Sequence, residues 1–149
     1  MMLRLVLDTN VWLDWLVFDD AGVALLKAAV AAGQAEILID AACAAELAAV
    51  LGYPLQKKIL TADARDARMA ECRRTAQMIE LISPPSAQPL PVCRDTDDQK
   101  FLELARAARA DFLVTKDLLL LKLARRKVRR APFGIVTPAQ LNATLATLS

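Results

Sequence analysis

The chain has 149 residues, enough for one domain with a full core. Its 56% apolar content and only 4 glycines, on an Ala- and Leu-rich background, exclude a disordered or fibrous chain and point to a helix-rich globule. A net charge of +2 names no partner, and the absence of histidine removes Ser-His-Asp catalysis, histidine acid–base chemistry and histidine-ligated zinc.

In chain order, Leu3–Leu7 is an apolar run of strand length, expected to be buried on both faces. A helix over Asn10–Val17 offers Val11, Leu13, Trp15 and Leu16 to the core, and Ala21–Ala32 is a clearer helix that Gly33 should end. Glu36–Ile39 reads as a second strand, after which Asp40 caps a helix over Ala41–Leu51, closed by Gly52 and Pro54. Thr61 opens a long charged helix to about Gln77, followed by a short edge strand over Met78–Ile82 unless the helix simply continues. Ser83–Pro91, with four prolines, is a stiff loop too short to separate domains. Phe101, Leu102, Leu104, Ala105 and Ala108 follow helical spacing, which puts Asp98 near that helix's start. Phe112–Thr115 is a strand, Leu118–Arg126 a short helix and Gly134–Val136 a last strand, and Thr137-Pro138 starts a terminal helix. Strands alternating with helices imply right-handed crossovers and a parallel sheet covered on both faces, in one α/β domain over residues 1–149.

Four acids then stand out. In a parallel sheet the functional crevice lies outside the carboxyl ends of the strands. Asp8 and Asp117 follow the first and fourth apolar strands directly, and Asp98 heads a helix whose N-terminus returns to that edge. Glu46 shares a helical stripe with Cys43, Leu47 and Val50, an apolar face on which a lone carboxylate needs a partner. Asp8, Asp98 and Asp117 also suit plain helix capping, and the helix dipole should keep Asp98 ionised. Capping cannot explain Glu46. At ~5 Å spacing and an effective dielectric near 20, each ionised pair costs roughly 3 kcal/mol, so a cluster of four calls for a cation or retained protons. Asn10 and Thr115 are neutral hydrogen-bonders beside Asp8 and Asp117, suited to orienting ligands or a water.

Other features divide between bland and functional readings. Lys122–Arg130 packs six cations into nine residues; Arg125, Arg126, Arg129 and Arg130 fit either a solvated helix end or a contact with an RNA backbone. Trp12 and Trp15 could stack on bases, though core or interface packing is the simpler role. Cys43, Cys72 and Cys93 are odd in number and lack a C-x-x-C, so they read as reduced thiols, with Cys43 in the core. Arg4, Asp8, Asn10 and Asp14 interrupt the apolar N-terminus, so no membrane span or signal peptide is expected, and the protein is expected to be soluble and cytoplasmic.

The blocks Leu5-Val-Leu-Asp8-Thr-Asn10-Val, Glu46-Leu-Ala-Ala-Val-Leu, Asp95-Thr-Asp-Asp98-Gln-Lys-Phe-Leu-Glu-Leu-Ala105 and Phe112-Leu-Val-Thr115-Lys-Asp117 together resemble the PIN-domain ribonucleases. The match is nearest to the toxins of prokaryotic toxin–antitoxin systems related to VapC, and it spans essentially the whole chain, through Ile135-Val-Thr-Pro138. The resemblance implies a three-layer α/β/α sandwich with a central parallel sheet. It also implies that Asp8, Glu46, Asp98 and Asp117 bind Mg²⁺ or Mn²⁺, with Asn10 and Thr115 in support. A homodimer, a cognate antitoxin and RNA cleavage leaving a 5′-phosphate and a 3′-hydroxyl follow from the same resemblance. Two positions depart from the family pattern: Thr96 where proline is common, and Lys116 where glycine or arginine is usual.

Two other readings stay open at this point. A haloacid-dehalogenase-like phosphatase also carries an aspartate after its first strand, but it wants a second one where this chain has Asn10. A PIN-fold module that has lost catalysis and only binds RNA or protein would look the same in sequence.

Overall fold

The expected apolar run forms β1 (Leu3–Leu7), the central strand of a parallel sheet in the computed structural model, which describes residues 2–81, 89–126 and 130–148. Around it the chain builds α1 (Thr9–Leu16), α2 (Ala24–Ala31), β2 (Ala35–Ile39), α3 (Ala41–Val50), α4 (Ala62–Thr75) and β3 (Ala76–Met78). The second half adds α5 (Gln99–Ala107), β4 (Phe112–Val114), α6 (Leu118–Leu123), β5 (Gly134–Val136) and α7 (Pro138–Ala146). All four strand pairings are parallel, in the order β3-β2-β1-β4-β5, with Leu3 opposite Ala35 and Leu5 opposite Phe112. Helices flank the sheet to give the three-layer α/β/α sandwich, and the order reverses at β1, the switch point where a crevice is expected.

Local chemistry accounts for most of the boundaries. Asp8, Asp40, Thr61 and Asp117 each accept a backbone N–H at the start of a helix, and Thr137 with Gln140 forms a reciprocal capping box ahead of α7. Gly33, at φ 74°, closes α2, and its left-handed backbone lets Gln34 N–H donate back to Ala29 at 2.8 Å. Gly134 serves a different need: a Cβ there would stand 2.7 Å from the Phe112 ring on the neighbouring strand. Leu5, Val6, Leu7, Leu113 and Val114 are buried on both faces of the sheet, and Trp12 and Trp15 lie in the core with centroids 6.0 Å apart. All three cysteines are buried and free.

Several boundaries differ from the sequence reading: the expected Ala21–Ala32 helix, for one, opens as a 3-10 turn over Ala21–Val23 before α2. The charged helix stops at Thr75, and the edge strand is Ala76–Met78 rather than Met78–Ile82, pairing with Ile37–Ile39 and leaving 79–81 of the expected strand outside it. Nothing in Arg73-Arg74-Thr75 disfavours helix; the exposed edge of β2 recruits the next three residues into its ladder, a tertiary effect that local propensity does not carry. Ile82 of that expected strand, and 82–88 of the proline loop, lie outside the described residues. The helix after Asp117 is also shorter than expected, ending at Leu123 with a turn at Ala124 and Arg125.

Candidate active site at the carboxyl edge of the sheet

Asp8 is 3% exposed and leaves β1 straight into the cap of α1. Its Oδ1 accepts from Val11 N–H at 3.0 Å, while its Oδ2 accepts from the hydroxyl of Thr115, which is fully buried at the end of β4. The same hydroxyl accepts from Asp117 N–H at 2.9 Å, and Asp117 Oδ1 takes Leu119 N–H at 2.8 Å. Thr115 therefore ties Asp8 to the Asp117 turn. Capping is real for both acids, but it occupies one oxygen of each. Burial pushes the Asp8 carboxyl up, against hydrogen bonds from Thr115 and Val11 that pull it down; Asp117 adds to the rise and Lys116 opposes it.

Asp98 behaves differently. It ends a single 3-10 turn over Thr96–Asp98 and precedes α5, yet its side chain caps nothing; Asp95 does that work, accepting Asp97 N–H at 3.0 Å. Asp98 Oδ2 is buried without a hydrogen-bond partner among the described residues. Burial, a hydrogen bond with Asp117 and the charges of Asp117, Asp95 and Asp8 push its carboxyl up to about 7. The expectation that the helix dipole keeps it ionised gives way here, because desolvation and a carboxylate neighbour outweigh a dipole worth a fraction of a kcal/mol to ~1 kcal/mol. Once Asp98 keeps a proton it can donate to Asp117.

Glu46 is half-buried, and both of its oxygens are engaged: Oε1 by Lys100 Nζ at 2.8 Å, Oε2 by the Thr9 hydroxyl. Burial works against the Lys100 charge, but Glu46 more than offsets it and raises its pKa. Lys100 and Thr9 were not singled out in the sequence. Their signals were there, Thr9 adjoining Asp8 and Lys100 two residues past Asp98, but only the contacts of α3 with α1 and α5 show that they are the partners the lone carboxylate required. Lys116, the residue that departs from the family pattern, pairs with the buried Asp14 at 2.6 Å.

All four acids line one cleft of about 200 Å³, with Thr9, Asn10, Val50 and Phe101 completing its wall; Asn10 is exposed there. Among the described residues no group of three or more acids stands close enough together to hold a metal ion on its own. The donor set nevertheless fits a hard divalent ion that retains several waters and takes only some of its ligands from protein. A buried Asp98 oxygen without a hydrogen-bond partner among the described residues, beside three more acids, marks where positive charge is wanted.

The basic run lies apart from the acids. Lys122, Arg125, Arg126 and Arg130 are exposed and line no part of the acidic cleft, and Arg129 lies outside the described residues. Arg130 lines a separate, larger cleft of about 570 Å³ with Ala110, Asp111 and Gly134, at the amino ends of β4 and β5. α6 leaves the carboxyl edge at Asp117, and Arg130 stands at the opposite edge, ahead of β5.

The sequence profile of the PIN domain matches residues 4–119. The chain belongs to the PIN-domain family. Members of that family are generally nucleases, and the matched span holds all four acids of the cleft. The PIN fold is also the architecture of a solved chain described as VapBC2 from Rickettsia felis bound to a DNA fragment from their promoter. That chain superposes with a TM-score of 0.62, covering 91% of this PIN domain and 98% of its own length. At 15% identity the likeness is one of fold. No curated protein sequence matches closely enough to add to it.

Proposed function

We propose that this PIN domain is a Mg²⁺- or Mn²⁺-dependent endoribonuclease and the toxin of a toxin–antitoxin pair. The observation that carries the reading is the convergence of Asp8, Glu46, Asp98 and Asp117 on one cleft, with a buried Asp98 oxygen left without a partner among the described residues, in a family whose nucleases typically use divalent metals. Asp8, Asp98 and Asp117 would hold the ion, Asp8 through the oxygen that now takes the Thr115 hydroxyl and Asp98 through its orphaned Oδ2. Bound there, the ion supplies charge neutralisation at a scissile phosphate and an acidified water.

The chain's own residues do the rest. Glu46, fixed by Lys100 and Thr9, is a positioned acceptor at the cleft wall rather than a free ligand. It orients the attacking water and draws its proton, directing in-line displacement that leaves a 5′-phosphate and a 3′-hydroxyl. Thr115 keeps Asp8 and Asp117 in register, and the exposed Asn10 reaches a non-bridging phosphate oxygen. Lys116, neutralised by Asp14, adds little charge at the phosphate.

The family match leaves no ground for the haloacid-dehalogenase-like alternative. A catalytically silent module remains the competing reading, and a cleavage assay on RNA with Mg²⁺ or Mn²⁺ added or chelated separates them: no metal-dependent cleavage by the folded protein refutes the nuclease. The toxin role draws on the resemblance to VapC-type toxins and on the solved neighbour's description as VapBC2. It is tested by whether the product of the adjacent reading frame binds this chain and relieves growth arrest. We further propose a cytoplasmic homodimer, as the resemblance to VapC-type toxins implies; no described helix is long and apolar enough to cross a membrane.

A further inference from the structure

α3 forms part of the cleft wall at Val50, and the chain from Gly52 to Arg68 follows directly from it. Leu55 and Lys58 exchange backbone hydrogen bonds at 2.7 and 2.8 Å, closing a tight hairpin whose two central residues, Gln56 and Lys57, sit at φ 47° and 68°. Such a turn is ordinarily made by Asn-Gly; here two long polar side chains hold a left-handed backbone, with Leu55 anchored in the core beneath them. Lys57 and Lys58 project into solvent, flanked by Tyr53 and Ile59, which are 57% and 76% exposed.

Behind the hairpin, Arg65 lies so close to Gly52 that a Cβ there would stand 3.0 Å from its Nη1. One turn on, Arg68 Nε is buried with no acceptor among the described residues. A guanidinium fork stripped of water on one side and lacking a carboxylate is poorly satisfied by the protein alone and matches the bidentate geometry of phosphate. None of these four cations has an ion-pair partner among the described residues. The α4 acids Asp63 and Asp66 are exposed and form no ion pair with these cations among the described residues.

We propose that Tyr53, Lys57, Lys58, Arg65 and Arg68 form a single-stranded RNA track leading out of the acidic cleft past Val50, the cations meeting phosphates and the Tyr53 ring stacking on a base. The proposal rests on the nuclease reading for its substrate class. It assigns the RNA contact to the Glu46 side of the cleft, not to the basic run near the amino edge of the sheet.

The test is fluorescence anisotropy of a labelled 12-nucleotide oligouridylate in EDTA, titrated with salt, on the full chain. Lys57→Asn with Lys58→Gln preserves the left-handed turn, since asparagine tolerates it. This variant should lower the slope of log affinity against log salt by about 1.4, for two single-strand phosphates lost. Tyr53→Ser should weaken binding at every salt concentration without changing that slope. Arg68→Met should weaken binding while leaving the melting temperature equal or higher. Hydrolysis of bis(p-nitrophenyl) phosphate with Mn²⁺ should be unchanged in all three, because the cleft is untouched. A folded parent that fails to bind the oligonucleotide, variants with the parent's slope and affinity, or tighter binding of polyglutamate than of RNA would each overturn the track. A parent that binds RNA through these residues but hydrolyses neither substrate would leave the track standing and refute the nuclease reading instead.

Discussion

Asp98→Asn should make the metal-free protein more stable at pH 8 while ending its activity. In the parent, Asp98 Oδ2 has no partner and its carboxyl is pushed up to about 7 by burial and by Asp117. A native pKa above the unfolded one means that the folded state binds the proton more tightly. This carboxyl therefore destabilises the fold as pH rises from about 4 through 7, and the cost is complete above that. The full linkage from the ordinary value of 3.8 to about 7 corresponds to about 4 kcal/mol. Asp98 is partly open to water, so screening leaves about 1–2 kcal/mol. Asparagine removes that charge and its amide can donate to Asp117 as the protonated acid does, so calorimetry at pH 8 without metal should show Tm about 3–6 °C above the parent. At pH 4.5, where the parent keeps its proton, the two proteins should agree within about 0.5 kcal/mol. Saturating Mg²⁺ should stabilise the parent much more than the variant, by linkage to the folded state. A variant less stable than the parent at pH 8, or the same gain at both pH values, would refute the reasoning.

Asp8→Asn should abolish cleavage while keeping the fold, because asparagine caps a helix as well as aspartate does, and should shrink the metal-dependent Tm shift; full activity in the purified variant would remove Asp8 from the site. Glu46→Gln should lose cleavage and, by leaving the partly exposed Lys100 without a charged partner, cost about 1–2 kcal/mol in chemical denaturation, less than a fully buried pair would. Survival of activity with that stability loss would make the Glu46–Lys100 pair purely structural. Neutralising Arg125, Arg126 and Arg130 together should leave RNA cleavage and its salt dependence at the parent's values, and a shallower salt slope in the folded variant would return the RNA path to that side of the molecule. Light scattering at micromolar concentration should report a homodimer; a monomer there would refute the assembly.

What the sequence determined by itself is whatever depends on short-range chemistry. Leu3–Leu7, Phe112–Val114 and Gly134–Val136 are strands wherever they sit, being apolar runs too short for helices and bounded by turn-forming residues. Asp8, Asp40, Thr61, Gly33 and Thr137-Pro138 mark helix ends because a side-chain oxygen, a missing Cβ or a fixed φ acts on the nearest turn. The alternation of those elements, with the handedness of crossovers, brings Asp8, Asp98 and Asp117 to one sheet edge, and the apolar stripe around Glu46 marks it as a carboxylate that needs a partner. Tertiary structure decided the rest. β3 begins at Ala76 because the free edge of β2 recruits it, and Glu46 gains Lys100 because α3 meets α5, contacts across tens of residues that no local pattern encodes. The proton on Asp98 is of the same kind, since a carboxyl's affinity for it depends on how much water is excluded and how near Asp117 comes. The basic run shows the limit most plainly. Its charge is written in the sequence, but adjacency along the chain is not adjacency in space once a helix intervenes: Arg130 lines a cleft at the amino ends of β4 and β5 rather than the acidic one.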